Sequence, residues 1–181
     1  MEENNLVLGE VISIQKVGEG TRVCVDCIDT LEPKEGALVG NTGSGYLLVL
    51  SENRETDTYP ARPFRINCGA IHQYLSHGEK TNYLSELKSG QPIQVFNTEG
   101  KREVAIGRVK IEKRPLMRVE CRINDTIISA TLQQSDSVQL LTSDYEPKAI
   151  VDLEEGERIF CCEDKPGRHL GEKLNEYIME Y

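Results

Sequence analysis

Apolar residues in this chain come in short runs of four to seven, rich in Val, Ile and Leu and interrupted by Gly, Pro, Asn or Asp. The runs include LVLGEVISIQKV (6–17), TRVCVDCI (21–28), GYLLVLS (45–51), PIQVFN (92–97), VAIGRVKIE (104–112), LMRVECRI (116–123), TIISATLQ (126–133) and SVQLLTS (137–143). Period-two alternation of β-branched residues between turn formers predicts strands. The connections VGEG, PKEG, NTGSG, NTEG, IND and SDYEP read as turns, with Asn124-Asp125 as a tight hairpin. Helical periodicity is confined to residues around 83–88 and to the tail 171–181, where Leu174, Tyr177, Ile178 and Tyr181 suit a helix. The expectation is an all-β protein with little helix, built as two small barrel-like or sandwich modules, residues 1–90 and 91–181. LSELKSGQPIQVF (84–96) echoes VDLEEGERIFCC (151–162), as an internal repeat would.

Composition narrows the function. The 181 residues carry a formal charge of −9, which argues against nucleic acid. Positive charge is nonetheless clustered in RVKIEKRPLMR (108–118), a pattern suited to a small anionic ligand. No apolar run is long enough to span a membrane, and MEENN lacks the features of a signal peptide, so a cytoplasmic protein is expected. The six cysteines sit in or beside strand-like runs and are expected as free thiols. CVDC (24–27) stands alone without a second ligand pair, and the three histidines are not spaced as metal ligands, so no metal is expected. GNTGSG (40–45) joins strand to strand and lacks the helix that a dinucleotide fingerprint needs.

The candidate site is RPFRINCGAIHQYLSHGEKTNYLSE (62–86). Arg62 and Arg65, held apart by Pro63 and Phe64, form a fork for a carboxylate or phosphate. Arg65→Ala is expected to abolish ligand binding and leave the fold nearly as stable. Asn67 and Tyr83 are candidates for orienting hydroxyls. His72, placed in a strand just before Tyr74, joins Lys80 and Glu86 as candidates for moving protons. Lys110 and Arg114 are candidates for a second anionic group. Ser51-Glu52 place a hydroxyl and a carboxylate at a strand exit.

Several blocks in one order resemble a known family. They are GEGTRVCVD, then EGALVGNTGSGYLLVLSENRETDTYPARPFRINCGAIHQYL, KTNYLSELKSG, GRVKIEKRPL and GRHLGEKL. Together they resemble the archaeal-type, or type II, 3-dehydroquinate synthase family. The resemblance implies NAD-dependent oxidative deamination and cyclisation of an amino-dideoxy-heptulosonate, with Arg62 and Arg65 on the substrate carboxylate and Lys110 and Arg114 on a cofactor phosphate. A related branch makes aminohydroxybenzoates. Family members are about twice as long, with an N-terminal α/β half. The chain therefore resembles the C-terminal β half, working with a separate N-terminal half, as a homo-oligomer, or as a non-catalytic anion-binding module. It departs from the family pattern at Cys27-Ile28-Asp29, at Leu50 (a His in the family) and at Cys68.

Overall fold

The computed structural model describes residues 6–165, 168–169, 172–173 and 177–181. Twelve antiparallel strands join in one ring-like sheet that is not a regular barrel. Two strands organise it: β1 (Val7–Cys27) and β8 (Gly100–Ile123), paired along nearly their whole length. The first half of β1 also pairs with β12 (Arg158–Glu163), and its second half with β4 (Arg62–Ala70). Strand β8 pairs in its first half with β7 (Pro92–Asn97) and in its second with β9 (Thr126–Gln133). Strands on either side of residue 90 are thus hydrogen-bonded to each other.

The expected VGEG turn is instead a bend inside β1. Gly18 adopts a φ of 98°, and the register against β8 slips between Lys16 and Gly18. A bulge lets two long strands bend together without parting, so a glycine that reads as punctuation becomes a kink. The other turns form as expected. Asn124-Asp125 close the β8–β9 hairpin with Asn124 at φ 53°. Gly43-Ser44 close the hairpin of β2 (Gly36–Thr42) and β3 (Gly45–Glu52).

Strand β3 is buried on both faces, which explains its unbroken apolar run. Leu47 and Val49 enter the main core with Val23, Val25, Ile66, Val119 and Leu132. Tyr46, Leu48 and Leu50 point the other way, into a smaller core with Leu38, Tyr74, Phe96 and Phe160. Five of the six thiols are buried and all six are free. Burial pushes Cys24 up to about 11 and Cys27 up to about 12, so neither is a nucleophile at neutral pH.

The sequence echo is geometric. Residues 84–86 and 150–152 each form one 3-10 turn leading into a strand. Leu84 N–H donates to Gln73 C=O and Ile150 N–H to Val138 C=O, each at 2.9 Å. Gly90 and Gly156 both take positive φ, and their N–H groups donate to Ile106 and Val11. The tail 171–181 is not a helix where it is described. Glu172–Lys173 is extended, and residues 177–181 lie as coil, with Glu180 accepting from Gly43 N–H and Tyr74 Oη. Leu174 lies outside the described residues.

Candidate functional site

Arg62 and Arg65, three apart, would face opposite sides of a regular strand. Strand β4 is not regular here. Ser51 pairs with Ile66, but Glu52 pairs with Arg62, leaving three β4 residues unmatched. Pro63, which has no N–H to give the ladder, sits in that irregularity. Both guanidiniums consequently line one pocket of about 200 Å³. A second slip sets Val23 against Gly69 and Cys24 against Asn67, leaving Cys68 as the extra residue of a bulge. Gly69 closes this bulge at φ 83°, and a Cβ there would stand 2.2 Å from Thr131 O. Gly69→Ala is expected to cost about 1–3 kcal/mol and to misplace Asn67. Urea denaturation checks it, and an unchanged midpoint would refute the clash.

The pocket draws on five strands. Strand β1 contributes Arg22, β3 Glu52, and β4 Arg62, Arg65 and Asn67. Strand β8 contributes Lys110, Glu112 and Arg114, which alternate onto one face. Gln133 of β9, Tyr59 and Ser137 complete the wall. Five cations against two carboxylates leave a surplus of three positive charges, in a chain whose net charge is −9.

Several of these groups are held in place. Arg22 donates to Gln133 Oε1 at 2.9 Å and to Glu112 Oε1 at 2.7 Å. Asn67 Nδ2 donates to the same Gln133 oxygen at 2.8 Å. Arg62 lies 4.5 Å over the Tyr59 ring and 2.5 Å from Glu52 Oε1. Arg65 is gripped from behind by Asp26, at 2.7 and 3.1 Å, and Arg108 reaches the same carboxylate at 2.8 Å.

Single atoms of these same groups have no hydrogen bond. Among the described residues seven buried side-chain polar atoms lack a hydrogen bond, and four belong to this pocket: Arg22 Nε, Arg62 Nε, Asn67 Oδ1 and Glu52 Oε1. Buried groups are normally paired, so their concentration here sets this pocket apart.

The two carboxylates are tuned in opposite directions. Burial pushes Glu52 up, against the pull of Arg62, Arg65, the Ser137 hydroxyl and Arg22. Glu112 also feels desolvation, but Arg22, Arg114 and Lys110 outweigh it and hold its carboxyl below the usual range.

Of the sequence candidates, Arg62, Arg65, Asn67, Lys110 and Arg114 meet in this pocket. His72, Lys80, Tyr83 and Glu86 do not line it. His72 lies in the turn after β4, not in a strand, with Nε2 2.8 Å from Asn41 Oδ1. Burial and Arg118 push its imidazole down. Lys80 and Tyr83 belong to the hairpin of β5 (Tyr74–Ser76) and β6 (Thr81–Tyr83), with Tyr83 stacked on Tyr74 at 5.0 Å. Glu86 accepts from Tyr83 N–H at 2.7 Å and so caps the 3-10 turn. Sequence reasoning missed Arg22, Glu112, Gln133 and Ser137. The alternation Lys110, Glu112, Arg114 was a usable signal for the second of these. Among the described residues no group of three His, Cys, Asp or Glu side chains is placed to hold a metal, and no helix is long and apolar enough to cross a membrane.

Fold and pocket together define an all-β domain that gathers arginines from separate strands around a small cationic pocket. The family described as 3-dehydroquinate synthase II C-terminal domain matches residues 8–181, and the chain belongs to it. Similar curated proteins are named 3-dehydroquinate synthase. That of Methanococcoides burtonii is 42% identical over 181 residues, covering 99% of this chain and 48% of the relative. That of Methanocella arvoryzae is 43% identical over 171 residues, covering 94% and 46%. The Archaeoglobus fulgidus protein is 38% identical over 180 residues, covering 99% and 56%. The chain thus spans about half the length of the curated relatives it matches. No solved structure shows a significant match.

Proposed function

We propose that this domain is the acid-binding half of a 3-dehydroquinate synthase. In this reading it binds the carboxylate of an amino-dideoxy-heptulosonate, which is oxidatively deaminated and cyclised with NAD to 3-dehydroquinate. The surplus of positive charge around unpaired buried donors, in a strongly acidic chain, carries the reading. Arg62 and Arg65 take the carboxylate. The unpaired Asn67 Oδ1 accepts from a substrate hydroxyl, which suits a polyhydroxy acid better than a bare anion.

A pocket of about 200 Å³ takes one anionic group and does not enclose a dinucleotide. Lys110 and Arg114, with side chains 48% and 39% exposed at its rim, fit a phosphate of NAD. When bound, NAD supplies the hydride acceptor. The domain itself contributes binding, charge and orientation, and its proposed partner is a separate N-terminal α/β half.

The test is calorimetric binding of the heptulosonate to this chain, with NADH absorbance followed with and without the N-terminal half of a relative. Binding by this chain, with NADH formed only in the mixture, is the expected result. Binding without NADH in either case would make this a non-catalytic anion module. No binding would overturn the reading of the pocket.

A further inference from the structure

We propose that Glu52 is the proton-carrying group of this pocket, so that an anion enters it together with one proton. The inference rests on the pocket being the anion site. Glu52 ends β3, is 3% exposed, and opens on the same space as the arginines. Arg62 Nη2 lies 2.5 Å from its Oε1 and forms an ion pair with it.

The groups around Glu52 decide what happens on binding. Arg62 and Arg65 face it from β4, Arg22 from β1, and the Ser137 hydroxyl from the segment after β9. Lys110, Glu112 and Arg114 line the β8 wall of the pocket. An incoming anion cancels part of the cationic surplus that keeps Glu52 ionised and adds negative charge within the same small volume. Like charges confined so closely do not all stay ionised. Two carboxylates are available to give way, and their surroundings separate them. Glu112 is 28% exposed and held by Arg22 at 2.7 Å, Lys110 at 3.5 Å and Arg114. Glu52 is far more deeply buried and has Arg62 as its close cation, at 2.5 Å, where Glu112 has three. Glu112 therefore remains the fixed anion, and Glu52 takes a proton from solvent. Two carboxyl groups driven apart in this way are the usual arrangement of an acid beside a permanent charge. The proton then lies next to the bound ligand, where Glu52 serves as an acid–base group.

The experiment is titration calorimetry of sulfate, which carries no titrating proton near neutral pH, into the 181-residue chain. It is run across about pH 5 to pH 8, in paired buffers of different ionisation enthalpy. The expected result is uptake of up to one proton per sulfate. Affinity should fall with rising pH, by up to about tenfold per unit, between the pKa of Glu52 in the empty pocket and that in the filled one. Glu52→Gln, shown to be folded by its melting curve, should bind sulfate with neither uptake nor slope. Binding heats independent of buffer across the range would overturn the proposal while leaving the anion site standing. So would unchanged proton uptake in Glu52→Gln. Absence of sulfate binding at every pH would overturn both readings. The paired-buffer measurement on the unmodified chain decides the matter even if Glu52→Gln does not fold.

Discussion

Arg65→Ala is expected to cost the fold about 3–5 kcal/mol, because it leaves a buried carboxylate without its main partner. The sequence alone predicted a nearly neutral change. The pairing shows why the cost is large. Asp26 on the middle strand β1 stands directly opposite Arg65 on β4 and Arg108 on β8, so three strands are tied through one carboxylate. The Asp26 and Arg65 side chains are 4% and 9% exposed, whereas Arg108 is 62% exposed. Arg108→Ala should accordingly cost only about 0–1 kcal/mol. Asp26 feels desolvation, but the hydrogen bonds from Arg65 and Arg108 outweigh it and hold its carboxyl low. A group depressed in the folded state adds stability above its unfolded pKa, about 3.9, and loses it as pH falls through the folded value. The Asp26 contribution should thus be intact at neutral pH and vanish only in strong acid. Urea denaturation of the three proteins, at neutral pH and in acid, measures all of this. A loss below about 1 kcal/mol for Arg65→Ala would show that the Asp26 pair is not a structural tie.

Arg62→Ala should act in the opposite way, with a large effect on binding and a small one on stability. Its guanidinium lies over Tyr59, 22% exposed, with Nε buried and unpaired at the pocket wall. Removing a desolvated partner of a bound anion costs about 2–3 kcal/mol, or roughly 30- to 150-fold in affinity. Glu52 then loses its nearest cation, and a buried carboxyl in that position takes a proton rather than stay charged, which limits the damage to the fold. Arg62→Lys keeps the charge but loses the planar fork and the stacking, so it should recover only part of the affinity. Sulfate calorimetry on both variants, beside their urea midpoints, separates the two effects. Unchanged sulfate affinity in Arg62→Ala would remove Arg62 from the site.

The first prediction departs from the sequence expectation for a definable reason. Arg65 announces itself as a cation in a polar stretch, but nothing local reveals that Asp26, thirty-nine positions earlier, lies opposite it. The same limit hid Glu52, noticed only as a carboxylate at a strand exit. It also made His72 a strand residue, although β4 ends at Ala70 and the chain turns at residues 71–72. Long strands were misjudged because Gly18 and Pro115 look like breaks. They became interior residues of β1 and β8 because two strands bend as one.

The sequence by itself determined the all-β class, most of the turns, the echo of a turn leading into a strand, and the family. Period-two alternation, turn chemistry and ordered blocks of residues are properties of neighbours in the chain. It also marked Arg62, Arg65, Lys110 and Arg114, because cations crowded into an acidic chain are visible without coordinates, and Asn67 as a polar neighbour in the same stretch. Only the tertiary structure decided that these five meet in one pocket with Arg22 and Glu112. It alone decided that Arg65 is anchored while Arg62 is poised, and that Glu52 is buried among them. Those outcomes depend on cross-strand register and on which side chains lose water, and both are set by residues far apart in sequence.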